Sequence, residues 1–257
     1  MIRRTMTRNV LIIIEVLIWT GWVNGAEVAK MHQMPALTVD QIIQHIQRAG
    51  EELTTFQADL VYEVNQPEMS LMLRKGSIAY RRDPNQSHLR VDFQTLKEDD
   101  LDEVVCKEVF SFDGIWLTHL NYDAKSITQR QMTPENDPAD AFELASQSMP
   151  LVGFTDMSEL SRHFEISIVE LVDSPERIGL LLQVKPDSDY SKEYTQLTFE
   201  IDRKMWLPAK VVAIAPVGDI HTISFTEIKL NEPLEDEYFL VKIPSGFSKP
   251  EIIPLEK

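Results

Sequence analysis

The spacing of apolar positions changes three times along this chain, and each change marks a switch between helix and strand. Thr38-Val39-Asp40-Gln41 has the form of a capping box. Ile42, Ile43, Ile46, Ala49 and Leu53 follow at helical spacing, with Gln44, Gln47, Arg48, Glu51 and Glu52 on the other side. This predicts an amphipathic helix that lays one stripe on a core. From Phe56 the period becomes two. Phe56, Ala58, Leu60, Tyr62 and Val64 alternate with mostly polar neighbours, which predicts a half-buried strand. Further strands are expected at 69–81, 87–93, 104–112, 115–122 and 126–132, with a strong hairpin signal at Asp113-Gly114. The run Lys97 to Glu103 reads as an acidic, solvated loop.

Between Thr133 and Phe164 the pattern turns helical. Asp137-Pro138 starts one short helix with Ala141, Phe142, Leu144 and Ala145 as its apolar side. Pro150 and Gly153 break it, and Thr155 opens a second through Arg162. Strands resume at 165–171 and 178–185, where consecutive Leu180, Leu181 and Leu182 suggest burial on both faces. Leu197, Phe199 and Ile201 mark the next strand, then 210–215, then 220–230 after the turn Pro216-Val217-Gly218-Asp219. About ten or eleven antiparallel strands in succession favour a strongly curved sheet over a flat one. The expected class is α+β: an unclosed half-barrel with an N-terminal helix and a short helical lid.

Composition narrows the function classes. The 257 residues carry a formal charge of −16, which disfavours nucleic acid as a partner. Cys106 is the one cysteine and excludes an intramolecular disulfide; placed among Val104, Val105 and Val109, it reads as a small buried residue. The six histidines show no metal-ligand spacing, and no cofactor or metal is expected. No nucleophile elbow or phosphate loop occurs, so no catalytic residue is named and an enzyme is not expected. At the N-terminus, Arg3, Arg4 and Arg8 precede the apolar run Val10 to Val23, which contains Glu15 and ends at Val23-Asn24-Gly25. Residues 1–25 read as a secretory signal peptide rather than a membrane anchor. Their removal would leave a chain of net charge −18.

The order of motifs resembles the LolA-like outer-membrane lipoprotein carrier family. It runs from Gly76-Ser77-Ile78-Ala79-Tyr80-Arg81-Arg82, through Asp113-Gly114 with Ile115-Trp116-Leu117, to a Gly218-Asp219 hairpin. Ile223-Ser224-Phe225, Leu230-Asn231, Phe239 and Ile243-Pro244-Ser245-Gly246-Phe247 follow. The resemblance spans about Thr38 to Phe247, read as one domain (38–247). It implies an apolar cavity for acyl chains under a helical lid, latched by an arginine that by position is Arg82. The family places proline directly after that arginine. Here Asp83 intervenes before Pro84, so Arg81 is a second latch candidate. Cavity candidates are Trp116, Leu117, Phe142, Phe199 and Phe225; Trp116 and Trp206 suit a cavity or a core equally.

The implied function is a monomeric periplasmic carrier for the acyl chains of lipoproteins or other lipids, moving them toward the outer membrane. Inner- and outer-membrane sorting proteins are its candidate docking partners. The alternative is a periplasmic sensor or regulatory module that binds a partner protein through the same fold.

Overall fold

The computed structural model describes residues 37–141 and 157–255. They fall within one compact unit, Leu37–Lys257. The expected signal peptide and Phe142 lie outside the described residues, as does the breaking segment at Pro150 and Gly153.

Helix α1 spans Val39–Glu51 and starts as its sequence dictates. Thr38 Oγ1 accepts from the Gln41 amide at 3.3 Å, and Gln41 Oε1 accepts from the Thr38 amide at 2.9 Å. Ile42 and Ile46 are fully covered on the sheet side.

Strands β1 (Thr55–Gln66), β2 (Ser70–Arg82), β3 (Ser87–Glu98), β4 (Val104–Phe112), β5 (Trp116–Asn121) and β6 (Ser126–Gln131) form an up-and-down run. After helix α2 (Met157–His163) come β7 (Phe164–Val169), β8 (Arg177–Val184), β9 (Gln196–Asp202), β10 (Pro208–Ile214) and β11 (Ile220–Leu230). A one-turn helix α3 (Asp236–Phe239) and the short β12 (Glu251–Ile253) complete the chain order. The sheet order is β12-β6-β5-β4-β3-β2-β1-β11-β10-β9-β8-β7, so β1 closes back on β11 and joins the two meanders. The sheet is curved and unclosed, with β12 and β7 at its two edges.

Several expectations change. The sheet has twelve strands, and its last pair, β12 on β6, is parallel. The acidic run is also not simply solvated. Lys97 and Glu98 continue β3, Asp99 accepts from the Leu71 amide at 2.7 Å, and Glu103 pairs with Lys75 at 2.7 Å. Carboxylates thus staple this turn to the start of β2. The expected burial of Leu180, Leu181 and Leu182 on both faces does not hold: Leu180 and Leu182 lie in the main core, whereas Leu181, on the other face of this antiparallel strand, is only half-covered. Val104 and Val105 are exposed and Cys106 is half-buried, so the start of β4 projects past the core.

The main core lies between α1 and one face of the sheet. Ile42, Ile46, Phe56, Leu60, Ile78, Phe93, Phe112, Leu180, Phe199, Val211 and Phe225 belong to it. A second, smaller core of Val109, Leu120 and Ile127 lies on the opposite face under Val241 and Phe247. Strand alternation accounts for both: Phe110 and Phe112 point one way, Val109 and Ser111 the other.

Candidate functional site: the helix-covered face of the sheet

The floor of the site is built by register. Leu60 pairs with Phe225 across β1–β11, and Phe225's neighbour Ile223 pairs with Val211. Val211 pairs with Phe199, and Phe199 with Leu180. On the other side Ile78 pairs with Val91, and Val91 with Phe110. The result is a continuous apolar surface across strands β4 to β8.

Helix α1 is held over this floor at its middle and at its C-terminal end. Trp206 sits in a turn closed by Asp202, whose Oδ1 accepts from the Lys204 and Met205 amides, and it stacks on His45 at 4.1 Å and 13°. Trp206 therefore helps to clamp the helix. At its C-terminal end Arg82 donates to the carbonyls of Gly50 at 3.1 Å and Glu51 at 3.4 Å. These are carbonyls that the last helical turn leaves without an intrahelical partner, and a cation there also suits the helix dipole.

The same arginine reaches the helical insert. Arg82 Nε donates to the Tyr80 hydroxyl at 3.0 Å, and Tyr80 donates to Asp140 at 2.8 Å. Arg82 Nε lies 3.7 Å from Asp140. Burial and the nearby Asp140 charge push the Tyr80 hydroxyl pKa well up, so it remains a donor. The adjoining Ala141 amide donates to buried Ser87 Oγ at 2.5 Å, and the Ala139 amide to the Gly114 carbonyl at 3.0 Å. The entry to the insert is therefore fastened to β2, β3 and the β4–β5 turn. Replacing Arg82 by Leu is expected to cost about 1–2 kcal/mol, because the group is partly exposed and several bonds are lost together. Hydrogen exchange should quicken in the last turn of α1 and at Ala139 and Ala141. Unchanged protection at both places would show that Arg82 ties neither.

Arg81 points to the opposite face, as the next residue on a strand must. It donates to the Leu234 carbonyl at 2.8 Å and pairs with Asp83 at 3.0 Å and Asp236 at 2.7 Å. Its partners belong to its own strand end and to the C-terminal segment. Of the cavity candidates, Leu117, Phe199 and Phe225 face the main core. Trp116 alternates onto the face of Leu120 instead.

One end of the apolar floor is polar, and the sequence reading missed it. Arg74 of β2 pairs with Glu108 of β4 at 2.7 Å, and Asn121 of β5 donates to Glu108 at 2.8 Å. His119 stacks on Phe110 at 4.2 Å. The bonded pairs are 34 and 13 positions apart along the chain, so only the register unites them.

Two buried carboxylates should make stability fall in acid. Burial works to raise the pKa of Glu108, but the Arg74 hydrogen bond and charge, with His119, outweigh it and hold it below the usual range. Burial is likewise outweighed at Glu200 by Arg177 and Lys210. Both groups bind fewer protons folded than unfolded. Their contribution is complete above the unfolded carboxylate pKa and is lost as pH falls through the lower folded values. Urea midpoints should therefore drop below roughly pH 4, and Glu108→Gln should flatten part of that drop. An equal slope in that variant would exclude Glu108 as a source of the acid sensitivity.

No family model matches the chain, and no curated protein matches it. Solved structures do. The crystal structure of MucB is 15% identical, with a TM-score of 0.50, over 79% of this chain and 62% of that one. The Pseudomonas aeruginosa MucA/MucB complex is 14% identical, with a TM-score of 0.45, over 78% and 60%. A LolA superfamily protein from Nitrosomonas europaea is 12% identical, with a TM-score of 0.35, over 80% and 99%. This chain thus spans less than two thirds of the MucB structure, and the likeness is one of fold. At the level of fold the expectation holds: the described residues form an unclosed, curved, mainly antiparallel half-barrel with an N-terminal helix over its apolar face, and the MucB structure shares that fold.

Proposed function

We propose that the chain is a periplasmic carrier that shields the acyl chains of lipoproteins or other lipids on the helix-covered face and delivers them toward the outer membrane. The observation that carries this reading is the apolar floor itself. It runs across strands β4 to β8 beneath α1, in a sheet that does not close. Burying acyl methylenes there supplies about 0.8 kcal/mol each. No bond-making chemistry is needed. Arg82, bonded to both α1 and Asp140, is the natural latch between the cover and the sheet. The export signal read in residues 1–25 supports the compartment.

Native mass spectrometry of protein isolated from its own cell envelope tests the reading. A carrier comes away with acyl-bearing mass adducts, or acquires them from vesicles. A protein that stays at its bare mass under both conditions is not one.

A second reading is partner binding by a regulatory module. MucB has been captured with MucA. In this chain Met69, Leu71, Leu101, Val104 and Val105 are exposed apolar residues gathered where β2 and β4 begin and β3 ends. A pull-down that returns one inner-membrane regulator, from a protein that carries no lipid, would establish that reading over the first.

A further inference from the structure

The polar end of the floor has features that a purely structural ion pair does not require. Arg74 pairs in register with Tyr62 and Leu96, Glu108 with Phe93 and Asn121, and His119 with Phe110 and Thr128. All of them share the face of the apolar floor. Arg74 and Glu108 are largely covered, with side-chain exposures of 19% and 12%. The Arg74 guanidinium also lies over the Phe93 ring, 5.4 Å from its centroid. A charge pair withdrawn from water in this way adds little net stability, and apolar residues of similar volume would often serve the fold as well. Among the described residues, Arg74 Nε has no hydrogen-bond partner, and His119 Nε2 has none within hydrogen-bond distance although it lies 3.7 Å from Glu108. The strand next to Arg74 adds the hydrogen-bonded pair Tyr62 and His221, 2.8 Å apart.

Position matters as much as composition. Arg82, under the C-terminal end of α1, and Arg74 lie eight residues apart on β2, which is about 25 Å of strand. The apolar floor therefore begins under the helix and ends at a charged pair. That is the layout of a surface for an amphiphile with its tails toward α1. The turn beyond this end carries Glu98, Asp99, Asp100, Asp102 and Glu103 against Lys75 and Lys97. Such surroundings oppose a net anionic head group and favour one that carries a cation.

We infer that this end of the floor is a head-group site for a zwitterionic phospholipid, with Arg74 and His119 facing the phosphate and Glu108 facing the ammonium. The inference rests on the carrier reading and specifies its cargo. Arginine suits the phosphate through its fork of N–H donors. Glu108 holds Arg74 in place and leaves the site neutral overall.

The test uses the full chain and vesicles that contain equal amounts of phosphatidylethanolamine and phosphatidylglycerol with identical acyl chains. Bound lipids are then counted by native mass spectrometry. The wild-type protein should be enriched in phosphatidylethanolamine by roughly tenfold, the scale of one charge-assisted hydrogen bond. Glu108→Gln, which leaves the Arg74 charge uncompensated, should turn the preference toward phosphatidylglycerol. Arg74→Met combined with Glu108→Leu removes both charges without stranding either, so folding should survive. Its bound lipid should match the vesicle composition. If the wild-type ratio already matches the vesicle, or all three proteins give one ratio, there is no head-group site, although lipid loading would still support a carrier. If the wild type takes up no lipid, the carrier reading fails first.

Discussion

Replacing Gly76 by alanine is expected to destabilise the protein by about 3 kcal/mol, at the upper end for an overpacked position. The sequence shows only a glycine inside an alternating strand, which weakens a strand unless something needs the space. Here the β3 backbone needs it. A Cβ on Gly76 would stand 1.9 Å from the Asp92 carbonyl oxygen, 2.8 Å from its carbon and 2.9 Å from Phe93 Cα. All three are main-chain atoms, so no side-chain rotation relieves the clash. The strands would have to part where the register already shifts, between Lys75 and Gly76 on β2 and between Phe93 and Thr95 on β3. Phe93 and Leu60 flank this point on the floor, so the disturbance would pass into the main core. Urea denaturation measures the effect: a displacement of the midpoint by about 1–2 M is expected for a protein of this size. An alanine variant with the wild-type midpoint would mean that the two backbones separate at no cost.

The strands were legible wherever a turn residue bounded an alternating run. The limits of β4 and β11 are those the pattern predicts, because Asp113-Gly114 and Gly218-Asp219 punctuate them. Gly114 and Gly218 both adopt positive φ, +98° and +96°, a conformation that glycine reaches without strain. The capping box at Thr38 and Gln41 was legible because both partners lie within one turn. Trp116 shows that an aromatic type alone does not place a residue on the floor, because strand phase decides the face. Leu117, not Trp116, is in phase with Phe112 and the floor. The polar end was invisible for a different reason. Arg74, Glu108 and His119 each read as ordinary polar members of a strand, and three strand pairings are needed to bring them together. The two adjacent arginines showed the same ambiguity in miniature: their spacing predicts opposite faces, but not which face bears the helix.

The segment after β11 was the least legible, and Phe239→Ala is expected to release it, costing about 3 kcal/mol. Its apolar residues have no period, and its sheet contacts are made largely through carbonyls, which sequence does not display. It crosses the face of the sheet opposite α1. Arg81 donates to the Leu234 carbonyl, Arg90 to those of Tyr238 at 2.9 Å and Leu240 at 3.2 Å, and Ser111 to that of Phe239 at 3.2 Å. Phe239 is the buried anchor, 7% exposed, with the Arg81 guanidinium 5.2 Å from its ring centroid and His88 at 5.3 Å. Beyond it, Val241 and Phe247 cover Val109, Leu120 and Ile127. The Ser248 amide bonds the Lys125 carbonyl, and β12 then pairs with β6. Each later contact depends on the segment having been led there. Truncating Phe239 should therefore loosen the whole stretch through Ile253 before it unfolds the main core, whose residues lie on the other face. Hydrogen exchange would report this as lost protection at residues 251–253 and along β6, with α1 and β8 unchanged. Release would also bare the β6 edge, and an unpaired strand edge invites pairing with another chain. The variant should consequently self-associate on sedimentation at concentrations where the wild type does not. Full protection at 251–253 in the Phe239→Ala protein would show that β12 holds itself, and the account of Phe239 as the anchor would then be wrong.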